Sequence, residues 1–170
     1  IVQERPLPGP QRVLEERAAC FAPSTLRLDI SARRDPGKEA AAAQRHAADY
    51  AKERVVFDRP IGMNQAIQHP LAESYAELEA ANLMAFQAAN LYDAGQECGI
   101  QANAAKYLAG EATFKACTNA VMTMGGMGYA KEFHVERYLR ECMIHRLAPI
   151  SPQLILSYLA EKALDLPKSY

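Results

Sequence analysis

Beyond residue 36 the apolar positions recur at helical spacing far more often than at strand spacing. Residues 38–54, KEAAAAQRHAADYAKER, hold strong helix formers and no internal Gly or Pro. Their alanines permit close approach of a second helix. A longer helix is predicted over about residues 64–94. Leu71, Leu78, Ala85 and Tyr92 recur every seven residues, Tyr75 and Ala89 fill the adjacent seam, and Leu83 and Phe86 sit on a second face. Two apolar faces on one helix place it in the middle of a bundle rather than at its rim. Pro70 falls among its first turns, where a missing amide is best tolerated.

A third helix is predicted over about 101–124, with Tyr107, Leu108, Phe114, Val121 and Met122 as its bulky apolar positions. A shorter one spans about 131–146, and ILSYLAEKA at 155–163 closes the series after Pro149 and Pro152. On the 131–146 helix, Lys131 with Glu132 and Glu136 with Arg137 read as solvated ion pairs. The fold class is all-α, an antiparallel four-helix-type bundle with short connections. Two regions are expected: a segment 1–36 and the bundle at 37–170. The first holds three prolines in its first ten residues, a short helix at about 11–21 (QRVLEERAACF) and a stretch of no clear pattern.

Composition narrows the function. At 49% apolar and 23% charged residues with a net charge of −1, the chain reads as one globular domain with no basic face for nucleic acid. No apolar run is long enough to span a membrane. Cys20, Cys98, Cys117 and Cys142 are scattered and fit reduced, packed thiols better than a disulfide frame or a zinc site. The four histidines give no H-x-x-x-H pair, and no metal is expected. The chain lacks an initiator Met and a signal-peptide pattern, so a fragment of a longer protein is expected, in the cytoplasm or the mitochondrial matrix.

The candidate chemistry centres on Met124-Gly125-Gly126-Met127-Gly128-Tyr129. Three glycines at a helix end permit positive φ and let another molecule reach bare backbone. Taken alone, the cluster reads first as a helix cap and turn. Upstream lies Arg54-Val-Val-Phe57-Asp58-Arg-Pro60-Ile-Gly-Met-Asn-Gln65, and downstream lies Ala148-Pro149-Ile150-Ser151-Pro152-Gln153. Arg54 ends an alanine-lined helix, where a cation is favourable in any case. Gln65 could equally be a solvated residue at a helix start, and Phe57 a core side chain. Ser151 followed by Pro152 is a good N-cap and first helical position.

Together, Arg-x-x-Phe-x-x-Pro-Ile, Gln and Gly-Gly-x-Gly-Tyr resemble the C-terminal helical domain of the acyl-CoA dehydrogenases, over about residues 49–170. That resemblance implies FAD as cofactor and a role in oxidising an acyl-CoA thioester to its α,β-unsaturated form. It also implies a homo-oligomer, dimer or tetramer, with the flavin shared between two chains. Its cofactor contacts would fall on Arg54 at the diphosphate, with Phe57, Gln65, Met122, Gly125, Gly126, Ser151 and Gln153. The acyl pocket and the rest of the flavin site would belong to two further domains.

Three positions depart from the family. Met122 stands where a Gln is usual, and a thioether donates no hydrogen bond. Asp58 replaces a Gly near the expected diphosphate. Pro149 occupies the place of the usual catalytic Glu and cannot abstract a proton. A minority of the family carries that Glu on an earlier helix before an Arg. Glu16-Arg17 is the candidate here, although an ungapped count puts the family's position at Leu28. The plainer reading of Glu16, an exposed charge on a short helix, comes first. The competing expectation is a non-catalytic helical assembly module that has lost base and cofactor contacts.

Overall fold

A single helix, buried along nearly its whole length, organises the chain. The computed structural model describes residues 36–169. Within them α1 (Pro36–Glu53) leads through a two-stranded hairpin, β1 (Val55–Val56) and β2 (Arg59–Pro60), into α2 (Gln65–Asp93). Then follow α3 (Gly99–Met124), the short α4 (Gly126–Tyr129), α5 (Val135–Cys142), the short α6 (Ile144–Leu147) and α7 (Pro152–Ala163). The central helix is α3, about 39 Å long by its 26 residues. It packs on α1, α2, α5 and α7, and only Leu108 and Met122 within it are exposed.

The all-α bundle expected from the apolar spacing is what forms. α1 meets α3 through methyl-sized side chains: Ala40, Ala43 and Ala47 share one buried cluster with Ala112, Ala116 and Ala120. Leu78, Met124, Val135, Cys117 and Cys142 complete that core. The Cys117 thiol is hydrogen-bonded to Cys142 and buried, and both effects hold its pKa above the ordinary thiol range. Cys98, Cys117 and Cys142 are all free and buried, as packed thiols.

Polar staples set the register between helices. Gln44 Nε2 donates to the Leu71 carbonyl at 2.6 Å, tying α1 to α2. Lys115 Nζ on α3 meets Glu77 at 2.7 Å and Glu73 at 2.9 Å on α2. Those hydrogen bonds, to Glu77 first and then Glu73, raise the Lys115 pKa. Asn119 donates to the Pro70 carbonyl at 3.2 Å and to Ser74 Oγ at 2.9 Å. Later residues of α3 thus pair with earlier residues of α2, so the two run antiparallel.

Several expectations need correction. α2 does not sit in the middle of the bundle. Ser74, Leu78, Ala81 and Ala88 form its one buried face, whereas Tyr75, Leu83 and Phe86 are exposed. Its second apolar face therefore points away from this chain, and α3 takes the central place. Pro70 is the sixth residue of α2, past the opening amides that lack helical partners, since Gln68 already bonds the Asn64 carbonyl, so it costs a bond to Ala66. The single helix expected over 131–146 is three short pieces. His134 adopts a left-handed backbone (φ 61°) that ends the 3₁₀ turn Lys131–Phe133 before α5 starts. The ion pairs on α5 are Glu136 with Arg140 and Arg137 with Glu141, each four residues apart. Glu136 and Arg137 are thus each paired one turn away along the helix rather than with each other. The short helix expected at 11–21 lies outside the described residues.

Because the α1–α3 seam accepts only methyl groups, Ala116→Leu is expected to destabilise the chain by about 1–3 kcal/mol. Urea unfolding followed by circular dichroism measures it, and an unchanged midpoint would contradict the packing.

Candidate functional site

At the end of α1 the chain turns through a tight hairpin. The Arg54 amide still donates to the Tyr50 carbonyl at 2.8 Å, and the Arg54 carbonyl accepts from Ile61 at 2.9 Å. Val55 pairs with Pro60 and Val56 with Arg59, leaving Phe57 and Asp58 as the two central residues. Both have positive φ, 53° and 63°. A two-residue hairpin of this hand requires that, and glycine or asparagine usually supplies it. For a bulky residue such as Phe it is a strained conformation. Phe57 is 94% exposed, so the core role open to it in the sequence is ruled out.

The base of the hairpin is fixed. An added Cβ on Gly62 would stand 2.9 Å from the Ala51 carbonyl oxygen, so only glycine allows the hairpin to lie this close to α1. Arg59 donates to Asn64 Oδ1 at 2.7 Å, and Gln68 Nε2 donates to the Gly62 carbonyl at 2.7 Å. The Arg54 and Gln65 side chains are exposed.

The glycine cluster divides into different roles. Gly125, at φ 57° and ψ −129°, closes α3 and opens α4 in a conformation suited to glycine. Its amide donates to the Val121 carbonyl at 2.9 Å. Gly128 is buried, and a Cβ there would meet the Val121 carbonyl oxygen at 2.6 Å. Gly126 is different. It is exposed, its φ is not positive, and a Cβ would find nothing within 4 Å. Nothing among the described residues requires glycine at that position. Met122 lies beside it on the last turns of α3, 75% exposed, while Met124 is buried and Met127 half-exposed. Of the three methionines, then, only Met124 packs as core.

Register decides which of these residues share a place. The Asn119–Pro70 and Lys115–Glu77 contacts bring Gly125 to the level of Gln65, and Gln44–Leu71 brings Arg54 to the level of the hairpin. Arg54, Phe57, Gln65, Met122, Gly125 and Gly126 therefore occupy one end of the bundle. Ser151 and Gln153 do not join them. The His145 carbonyl lies against Gly110 and the Tyr158 hydroxyl against Gly99, so the loop between runs beside the first half of α3. The separation from Gly125 is roughly 30 Å, taking about 1.5 Å per helical residue. There Ser151 Oγ accepts from the Leu154 amide at 3.4 Å and caps α7, with Pro152 as first helical residue. The capping role read from the sequence is thus realised.

Pro149 lies exposed in the same loop. Glu16 lies outside the described residues. Among the described residues no group of three His, Cys, Asp or Glu side chains is placed to hold a metal, and no helix is long and apolar enough to cross a membrane. The hairpin itself was missed in the sequence, because Asp58 hides the glycine that would have marked its turn.

Comparison with known proteins gives this surface its context. A family model described as acyl-CoA dehydrogenase, C-terminal domain, matches residues 36–149. The chain is 44% identical over 126 residues to the acyl-CoA dehydrogenase FadE12 of Mycobacterium tuberculosis, spanning 73% of this chain and 32% of that protein. An acyl-CoA dehydrogenase of Bacillus subtilis is 44% identical over 108 residues, spanning 64% of this chain and 28% of its own. Among solved structures, glutaryl-coenzyme A dehydrogenase in complex with glutaryl-CoA superposes with a TM-score of 0.73 at 32% identity. That match covers 79% of this chain and 34% of the other. Butyryl-CoA dehydrogenase from Megasphaera elsdenii gives 0.72 at 30% identity, covering 77% and 34%. The chain thus spans about a third of the length of these relatives. Residues 36–149 account for most of it, and the chain belongs to the acyl-CoA dehydrogenase family through the C-terminal helical domain.

Proposed function

We propose that the chain serves as the C-terminal domain of an FAD-dependent acyl-CoA dehydrogenase, contributing cofactor contacts and an oligomer interface to the α,β-dehydrogenation of an acyl-CoA thioester. The observation that carries this reading is Gly126, a glycine with open space around it and no conformational need of its own. Such a position makes sense where another molecule comes against the backbone. Phe57 supports it from the hairpin: a strained, fully presented aromatic at the same end of the bundle is set for a partner outside this chain. Arg54 brings a fork of donors suited to a diphosphate.

These residues fit FAD as nucleotide contacts rather than as reacting groups. Bound FAD would supply the hydride acceptor for the reaction. Gly125 and Gly126 would offer bare backbone to the adenosine–diphosphate portion, Arg54 and Gln65 would hold its oxygens, and Phe57 would cover its adenine end. Ser151 and Gln153 form a second patch, too distant along α3 to serve the same cofactor portion. In a two-fold pair every patch occurs twice, so one chain can give each of its patches to a different flavin. The outward face of α2, with Tyr75, Leu83 and Phe86, supplies apolar surface for such pairing. The acyl chain and the general base would be met by other parts of the protein, with Glu16 as the candidate base within this sequence.

A second reading rests on Pro149, which puts a side chain without acid–base chemistry at the family's catalytic position. On that reading the domain assembles but does not support turnover. The test joins this chain to the amino-terminal and middle domains of an acyl-CoA dehydrogenase relative. A yellow protein that is bleached by an acyl-CoA thioester is expected, whereas a colourless protein would favour the assembly module.

Gly126→Ala should leave the unfolding midpoint of the chain unchanged or slightly raised, yet weaken FAD binding in the assembled protein about tenfold. Gly128→Ala should instead destabilise the chain by about 3 kcal/mol, because its Cβ meets backbone. Equal effects of the two on stability would contradict the division of roles. Asp58→Gly should relieve the left-handed turn and raise stability by up to about 1 kcal/mol in thermal unfolding. It should also tighten FAD binding in fluorescence titration, since a carboxylate leaves the diphosphate side.

A further inference from the structure

Four-residue helices do not hold themselves, since nucleation costs more than so few bonds return. α6 is such a helix, and apolar burial does not anchor it either: Ile144 and Leu147 are both mostly exposed. What anchors it is a set of contacts to α3 and α1. Lys106 Nζ donates to the His145 carbonyl. Arg146 Nε donates to Glu111 Oε1 at 2.9 Å, and the same guanidinium lies 4.7 Å over the Phe114 ring. Gly110 lets the His145 carbonyl close in, since an added Cβ would stand 3.1 Å from that oxygen. On the other side His145 Nε2 faces Glu39 of α1 at 3.7 Å.

Lys106, Gly110 and Phe114 are spaced by four and form one stripe of the central helix, with Glu111 beside it. The loop 148–151 leaves directly from the carboxyl end of α6. Its far end is fixed by the Ser151 cap and the buried Ile155. The entry into the loop is therefore set by how α6 sits on α3.

We propose that Lys106, Glu111 and Phe114 are positioning residues: they clamp His145 and Arg146 and thereby hold the loop 148–151 in place for the nucleotide of the bound flavin. This rests on the reading above that Ser151 and Gln153 meet the cofactor. The three positioning residues act through Arg146 and the His145 carbonyl, so loss of the clamp loosens the loop and leaves the rest of the bundle standing. Arg146 is the joint of the device, since its guanidinium is shared between a carboxylate and an aromatic face, a combination lysine does not reproduce.

Two measurements separate the clamp from the cofactor reading. The first is backbone hydrogen exchange by mass spectrometry on the chain itself, following the peptide that spans 146–155. Glu111→Ala should speed exchange there about tenfold, and Glu111→Gln, which still accepts from Arg146, should restore most of the protection. Peptides from α2 should not change. Unchanged exchange at 146–155 in Glu111→Ala would overturn the clamp. Phe114→Leu keeps the apolar volume and removes the ring beneath Arg146, so it gives the same readout should Glu111→Ala fail to fold. The second measurement is FAD affinity in the protein joined to its two partner domains. Glu111→Ala should weaken it about tenfold, with partial rescue by Glu111→Gln. Faster loop exchange with unaltered FAD affinity would uphold the clamp and overturn the role of the loop at the cofactor.

Discussion

The contact between α1 and α3 through side chains no larger than a methyl group is the constraint from which the rest of the architecture follows. Ala40, Ala43 and Ala47 present no bulk to Ala112, Ala116 and Ala120, so the two helices approach closely and exclude water along a long seam. With α3 drawn in on that side and α2 stapled to it on the other, the last turn of α3 and the last turn of α1 finish at the same end. That coincidence gives the site its shape. The hairpin after Arg54 and the glycine corner after Met124 are two chain reversals that meet because the helices before them are held in register by Gln44, Lys115 and Asn119.

Most of the helices could be read from the sequence because their signals are local. The alanine run, the apolar spacing from Leu71 to Tyr92 and the proline breaks at Pro149 and Pro152 each act over a few residues. Which face of a helix turns inward is not local. Tyr75, Leu83 and Phe86 look like core by composition, yet they are exposed, and Ser74 is buried because its hydroxyl bonds the Pro70 carbonyl and accepts from Asn119. The breaks within 131–146 were hidden for a related reason. His134 takes a left-handed conformation that no Gly announces, and Met143 interrupts α5 without a breaker.

The candidate site was legible in its residues but not in its arrangement. Spacing along the chain cannot tell that Gly128 serves internal packing whereas Gly126 is free of it; that distinction needs the neighbouring Val121 carbonyl. Nor does it reveal that Ser151 and Gln153 stand along the first half of α3, away from the glycine corner. On the proposed reading the chain would carry two cofactor-facing patches set far apart, ill-suited to enclosing one ligand by itself and well suited to sharing two with a partner. The departures then take on different weight. Under the proposed function Met122, exposed at the corner, would forfeit a polar contact, Asp58 holds a left-handed turn, and Pro149 would leave no base at its position, so binding and chemistry would be separable properties of this domain.

The most direct test of the central claim is a crystal structure of the chain joined to the amino-terminal and middle domains of an acyl-CoA dehydrogenase relative and saturated with FAD. The account predicts Arg54, Phe57 and Gly126 of one chain within about 4 Å of the adenosine–diphosphate portion of a flavin seated chiefly on another chain. A flavin that touches none of these three residues, with the glycine corner facing solvent in the assembly, would contradict it.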